Sequence, residues 1–343
     1  MKTGRKVSLV KGVNRKQNII KALELIAPDL TDIASAKNIL IKPNLTDIKK
    51  QVANTHVEAV EGVIEFLQAH FPGKNITVGE SSGSAYYRGM RTEDVFRYFH
   101  YDTLEKKYPN IRLESFDRCD EYIRVPIKTA VGVTHLRIAK RSRDFDYKIS
   151  VAPPKTHNFA IATLGIKNMA GFVKQEDMST IHGMKGGIEV DAPETFFDKL
   201  PKGTISYMRR SLPNWLVNYL FRHFRTYIKA VKVIHYNILS FSKLVWPDLV
   251  VIDGMTGMEG DGPIDGNSVE LGVAIASSDA LKADGIGARV MGLEPEQIGY
   301  MVYMQREGLG DYSVEGLVGE QIENARKAFK LHGCYEVQKE WKD

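Results

Sequence analysis

Apolar and polar positions in the first half of the chain switch repeatedly between two periods. Val7 to Val10, Asn38 to Lys42, Asn75 to Val78 and Asp146 to Val151 are short, almost continuously apolar runs, the pattern of strands covered on both faces. Helical patterns lie between them. Asn14 with Gln17 forms a capping box for a helix to Ile26, and Thr55 with Glu58 forms another ahead of Val57, Val60, Val63, Ile64 and Leu67. A further helix starts near Thr92. Ile111 to Phe116, Tyr122 to Ile127 and Val133 to Ile138 are β-rich, Asp248 to Ile252 is a short later strand, and helices fill most of the end. The alternation predicts an α/β fold: a mixed, largely parallel sheet with helices on both faces. Residues 1–200 and 246–343 are expected to form one such domain, or two lobes meeting at the site, with 201–245 a basic helical insert.

In sheets of this kind ligands bind beyond the carboxyl ends of the strands. The unusual residues fall there. Lys42-Pro43-Asn44 ends one strand, Gly79-Glu80-Ser81-Ser82-Gly83 a second, Lys155-Thr156-His157 a third and Asp253-Gly254 a fourth. Lys42 reads either as a lysine leaving the core for solvent or as an ammonium aimed at an anionic ligand. The Gly-Glu-Ser-Ser-Gly stretch reads as a plain turn or as a set of backbone N–H groups facing an anion; it is neither a Walker loop nor a dinucleotide fingerprint. Glu80 would repel phosphate and suits a metal, a substrate hydroxyl or proton transfer better.

Pro153 and Pro154 block strand pairing and stiffen an arm that presents Lys155 and His157. Lys167 follows in an apolar, helix-like segment, where a buried charge needs a partner or a bound anion, or loses its proton more easily. His182 sits in the glycine-rich IHGMKGG and reads as a second imidazole for the site or as a loop residue. Asp253, Glu259, Asp261 and Asp265 punctuate a glycine-rich run with no basic residue. Clustered carboxylates of this kind suit a hard cation such as Mg²⁺, although the EF-hand register is absent. The same run also reads as a flexible loop with solvated acids, or as acids offsetting the lysines.

Composition changes this picture little: 43% hydrophobic and 26% charged residues in 343 suit a globular chain with a large core. No apolar run approaches the roughly 20 residues of a membrane-spanning helix, and the opening MKTGRKVSLVKG lacks the apolar stretch of a secretory signal. Cys119 and Cys334 are too few for a disulfide framework, a four-cysteine zinc site or a self-contained iron–sulfur cluster, so no such cluster is expected. A cytoplasmic setting is the simplest expectation.

Charge changes it more. Residues 201–245 hold eight Lys or Arg and no Asp or Glu, which leaves the rest of the chain net acidic. Taken as one helix, 213–235 places Leu216, Leu220, Phe224, Tyr227, Val231 and Ile234 on one face and Arg222, Arg225, Lys229 and Lys232 on the other. That helix suits a membrane surface or a protein partner, or simply packs on its own domain with a solvated basic side. Nucleic acid is not expected, since no recognised binding motif accompanies the patch.

The blocks IKPNL (41–45), VGESSG (78–83), PKTHNFAIATLGIKNMAG (154–171), HYNIL (235–239) and PDLVVIDGMTGMEGDGPIDGN (247–267) resemble those of family 362 of the domains of unknown function. SSDALKADGIGARVMG (277–292) resembles the closing block, with Asp284 after an Ala/Ser-Asp pair. The resemblance implies an α/β fold with a shared polar site and no settled reaction. Many members carry a ferredoxin-like module with clustered cysteines; this chain lacks them. A distant likeness of fold to nickel-dependent lactate racemases is an analogy only.

Together these readings predict an enzyme for a small anionic substrate, a carboxylate or phosphate. Lys42, Asn44, Ser81, Ser82, Lys155 and Asn168 would bind it. His157, His182, Lys167 and Glu80 would carry the chemistry, and Asp253, Glu259 and Asp261 would hold a divalent metal. Metal-assisted proton transfer, isomerisation or racemisation is the expected class. The alternative is a non-catalytic anion- or cofactor-binding protein that docks on a membrane through the basic helix.

Overall fold

The computed structural model describes residues 4–129, 132–183, 204, 207–208 and 211–342. Twelve strands form two sheets among them. They are β1 (Val7–Lys11), β2 (Asn38–Lys42), β3 (Asn75–Glu80), β4 (Ile111–Ser115), β5 (Tyr122–Thr129), β6 (Gly132–Ala139), β7 (Tyr147–Ala152), β8 (Lys155–His157), β9 (Ile161–Thr163), β10 (Leu249–Glu259), β11 (Asn267–Ser277) and β12 (Leu317–Gly319). The main sheet runs β12-β1-β11-β10-β7-β2-β3-β4. Strands β10, β7, β2, β3 and β4 are parallel neighbours, whereas β11 is antiparallel to both β1 and β10. β5 and β6 form a separate antiparallel hairpin. The mixed, largely parallel sheet is the one the hydrophobic pattern predicts.

Alternate residues of each strand feed two cores. Ile39, Ile41, Ile149, Val151 and Val251 face α1 (Arg15–Leu25) and α2 (Val57–His70), which supply Ile19, Leu23, Val60 and Val63. Leu40, Val250, Ile252, Val273 and Ile275 face the other way. Both faces exclude water, so neither residue parity can be polar, and the strands read as unbroken apolar runs. Past α3 (Gly83–Arg88), α4 (Thr92–Tyr98), α5 (Asp102–Lys107) and the short α6 (Gly165–Asn168), the second face is closed by helices of the later chain. These are α7 (Asn214–Phe221), α8 (Arg225–Ser242) and α9 (Ala280–Val290).

Four local expectations change. The single helix over 213–235 is two: the chain breaks between α7 and α8, with Phe224 extended at φ −83°, ψ 97°. Its apolar side faces inward. Phe224, Tyr227, Val231 and Ile234 are buried in the same core as Val250 and Ile252, but in α7 Val217 and Phe221 join them while the expected Leu216 and Leu220 are only half-buried; the segment thus packs on the domain. The start of the expected insert, 201–203, lies outside the described residues, as does the IHGMKGG motif beyond Gly183. Second, α2 is capped by His56, whose ring accepts from the Glu58 N–H at 3.3 Å, and not by Thr55. The Thr55 hydroxyl instead donates to the Val151 carbonyl at 2.8 Å and accepts the Asn44 N–H at 2.9 Å, tying the ends of β2 and β7 together. Third, the glycine-rich run from Asp253 is no loop: β10 continues to Glu259 and turns into β11. Gly257 permits this, because a β-carbon there would collide with the Phe329 ring and stand 3.0 Å from the Pro154 carbonyl. Fourth, Pro153 and Pro154 interrupt pairing only briefly. Lys155–His157 is itself a strand, bonded to β9 and bridged to β10 at Met258. Among the described residues no helix is long and apolar enough to cross a membrane.

Candidate active site at the strand carboxyl ends

Because β2 and β3 are parallel neighbours, their last residues, Lys42 and Glu80, come together. Lys42 Nζ donates to Glu80 Oε2 at 2.6 Å, with both side chains sealed from solvent. It also reaches Asn168 Oδ1 and the Pro43 carbonyl, each at 3.2 Å. Burial raises Glu80 to about 7 and lowers Lys42, so desolvation pushes both towards neutrality, and their mutual attraction and hydrogen bond oppose it. The backbone at Gly171 lies directly on this pair, since a β-carbon there would strike Glu80 Oε1 and Lys42 Nζ.

Lys155 sits beside it, equally buried. Its Nζ donates to Asn44 Oδ1 at 2.6 Å, Thr46 Oγ1 at 2.9 Å and the Ala53 carbonyl at 2.7 Å. An ammonium has three donors, and all three are used. Burial lowers Lys155 well below its ordinary value, with Lys167 adding repulsion and the Glu80 carboxylate opposing the shift. Asn168 completes the network, accepting from Asn44 Nδ2 at 3.0 Å and donating to the Lys42 carbonyl and Ser150 Oγ at 2.9 and 3.0 Å. Lys42, Asn44, Lys155 and Asn168, all expected on the substrate, are thus gathered in one place but bonded to one another.

The Gly-Glu-Ser-Ser-Gly turn is also occupied from within. The Ser81 N–H bonds Glu80 Oε1, the Ser82 N–H bonds Thr92 Oγ1 and the Gly83 N–H bonds the Leu45 carbonyl. Ser82 Oγ caps α3 by accepting from the Ser84 N–H at 3.1 Å, and Ser81 Oγ donates to Asp117 at 3.0 Å. No N–H of Ser81, Ser82 or Gly83 is left for an anion, so of the two sequence readings the plain turn holds and the anion-facing one does not.

Lys167 is different. It lies half-buried on α6 and makes no hydrogen bond or ion pair with any described residue. Burial alone lowers its ammonium to about 8. Its charge is felt by Lys155, His157 and His182. The rings of His157 and His182 lie parallel, centroids 5.8 Å apart, with Phe159 packed 5.0 Å from His182. His157 Nδ1 accepts the N–H groups of Phe159 and Ala160 at 3.0 and 3.1 Å. The proton of the neutral ring therefore resides on Nε2. Burial, then Lys167, hold this ring well below the usual histidine range. His182 is pushed down to about 3, by burial first and Lys167 second, against a hydrogen bond to the Met178 backbone that favours the charged form. A ring N–H given to that carbonyl leaves the other nitrogen with a free lone pair.

Residues with no polar signature in the sequence hold this cluster. Asp284 of α9 is fully buried and accepts the N–H groups of Gly165 and Ile166 at 2.8 and 3.1 Å, fixing the start of the helix that carries Lys167. Burial raises its carboxyl to about 7. Tyr227 of α8 donates to the Asn158 carbonyl at 2.6 Å, and Gln338 donates to the His157 carbonyl at 2.9 Å. Tyr227 appeared in the sequence only as an apolar helix position, and nothing there marked Gln338.

The three carboxylates expected to bind metal do not converge. Asp253 accepts from Arg15 Nε at 3.1 Å, and burial raises it despite that cation. Glu259 accepts the Lys330 N–H at 2.7 Å, and Asp261 stands 3.6 Å from His332 Nε2. Among the described residues no group of three His, Cys, Asp or Glu is spaced to hold a metal ion. Asp253, Glu259 and Asp261 therefore do not form a donor set that fits the expected ion. A cavity of about 510 Å³ lies at the opposite, amino-terminal edge of the sheet, lined by Arg5, Trp246, Asp279 and Lys282, and shares none of these residues.

The fold and the cluster define an α/β protein with a polar, cation-bearing site at the carboxyl ends of a largely parallel sheet. The chain belongs to the DUF362 family, a domain of unknown function whose family model matches residues 39–289. It is 24% identical over 181 residues to the thylakoid-associated protein sll1697 of Synechocystis, covering 53% of this chain and 43% of that protein. It thus spans under half the length of this curated relative. Among solved structures it is similar to the lactate racemase apoprotein of Thermoanaerobacterium thermosaccharolyticum, with a TM-score of 0.44 and 16% identity over 81% of this chain and 55% of that one.

Proposed function

We propose that the chain is an enzyme that holds a small anion, a carboxylate or phosphate, on Lys167 and moves a proton between that substrate and His182. The observation that carries this reading is the Lys167 ammonium, which pairs with no described residue and whose charge bears on two neutral imidazoles. A partly desolvated cation without a counter-ion is costly, and a bound anion removes that cost. The two rings are complementary: His182 offers a lone pair and His157 an N–H. A carbon-bound proton next to the anionic group passes to His182, breaking C–H and forming N–H. Negative charge then develops on oxygen, where the Lys167 ammonium and the His157 Nε2–H stabilise it. The reverse step returns the proton, which makes isomerisation or racemisation the natural class. Burial is the main cause of the low basicity of His182 and Lys167 the second; a bound anion offsets the Lys167 part and raises the proton affinity of the ring by that much.

The test is solvent exchange. Short 2-hydroxy and 2-oxo carboxylates and their phosphorylated analogues are incubated with the protein in D₂O, with and without Mg²⁺, and carbon-bound protons are followed by NMR. Exchange is expected in wild type and lost in His182→Ala, with anion binding retained. Anion binding with no exchange across the panel would leave a binding protein and no enzyme.

A further inference from the structure

The solvent side of α7 carries a feature that packing does not explain. Trp215 is 72% exposed and Tyr219 60%, one helical turn apart, while Val217 and Phe221 on the other side are buried. Arg222 continues the exposed stripe at the next turn, paired with Glu340 at 3.2 Å. Beyond it, Arg225, Lys229 and Lys232 of α8 make no ion pair with any described residue. The apolar side opposite this stripe is spent on the core.

We propose that the α7 face, with the cations that follow it, docks on an anionic lipid surface. Tryptophan and tyrosine suit the headgroup level, because each joins an apolar ring to a polar handle. Cations that pair with no acid among the described residues match a continuous negative potential. A second copy is a poorer occupant, since a two-fold contact would set the same cations against each other. The proposal is independent of the chemistry at Lys167.

The full chain is sedimented with phosphatidylcholine vesicles with and without phosphatidylglycerol. Co-sedimentation is expected only with the anionic vesicles, fading as salt rises, and Trp215 emission should shift to the blue on binding. Trp215→Ser with Tyr219→Ser should abolish the shift and pelleting. Arg225→Gln with Lys232→Gln should weaken binding about 25-fold, roughly fivefold per charge. All four positions face solvent, so folding should be preserved, which circular dichroism checks. Equal pelleting of wild type and the aromatic variant overturns the proposal. So does dimerisation that the aromatic variant abolishes, or binding to single-stranded polynucleotide in place of vesicles.

Discussion

Lys167 and Asn168 are neighbours in the chain and belong to different chemistries. Asn168 is part of a closed network in which Lys42, Glu80, Asn44 and Lys155 use their polar atoms on one another. One residue earlier, Lys167 pairs with no described residue, and its charge bears on His157 and His182. Both regions are cationic and both lie at strand carboxyl ends. The difference teaches that a buried lysine is no sign of a ligand until its donors are counted. Three lysines looked alike in the sequence, and the structure leaves one of them unspent. The closed network serves as the frame, fixing the ends of β2, β3 and β7 and the start of α6, against which the open cluster is held.

Substitution should separate the two regions sharply. Lys42→Met strands the Glu80 carboxylate in the core and is expected to cost about 3–5 kcal/mol by denaturant titration above neutral pH, the penalty for breaking a buried pair from one side. Without Lys42 the Glu80 carboxyl is raised further still, so as pH falls and Glu80 takes up a proton part of that loss should return. Lys167→Met should do the reverse: stability unchanged or higher, anion binding lost. Its pH signature has a definite sign. The Lys167 ammonium is lowered from 10.5 to about 8 in the fold, so between those values the unfolded chain holds more protons and wild-type stability rises with pH relative to the variant. A flat difference across that window would mean Lys167 is well solvated.

The smallest expected effect lies in the glycine–serine turn. Ser82→Ala removes the cap of α3 and should cost about 1 kcal/mol, while affinity for acetate or inorganic phosphate stays within twofold. A large loss of affinity would return the turn to the ligand site.

Much of this was legible in the sequence. Unbroken apolar strands gave the sheet, and polar residues at their ends gave the neighbourhood of the site, because a chain leaving a doubly covered strand can first become polar there. The partners were not legible. Glu80 meets Lys42 only through the β2–β3 register, and Lys155 meets Asn44 from 111 positions away. Asp253 looked like a metal ligand because nothing local shows that Arg15 folds onto it. The Gly-rich half of β10 looked like a loop because glycine carries no strand periodicity. The break after Phe221 was invisible because apolar spacing continues across it. Asp284 was visible only through resemblance, and its role required seeing α6 begin on it.

The most direct test of the central claim observes the lysine side chains themselves. Selectively labelled lysine Nζ and Cε resonances are followed by NMR while acetate, and separately inorganic phosphate, is titrated in at neutral pH. The account predicts that Lys167 titrates near 8 in the free protein, moves upward with either anion, and leaves Lys42 and Lys155 unchanged. Movement of Lys42 or Lys155 with Lys167 silent would contradict it.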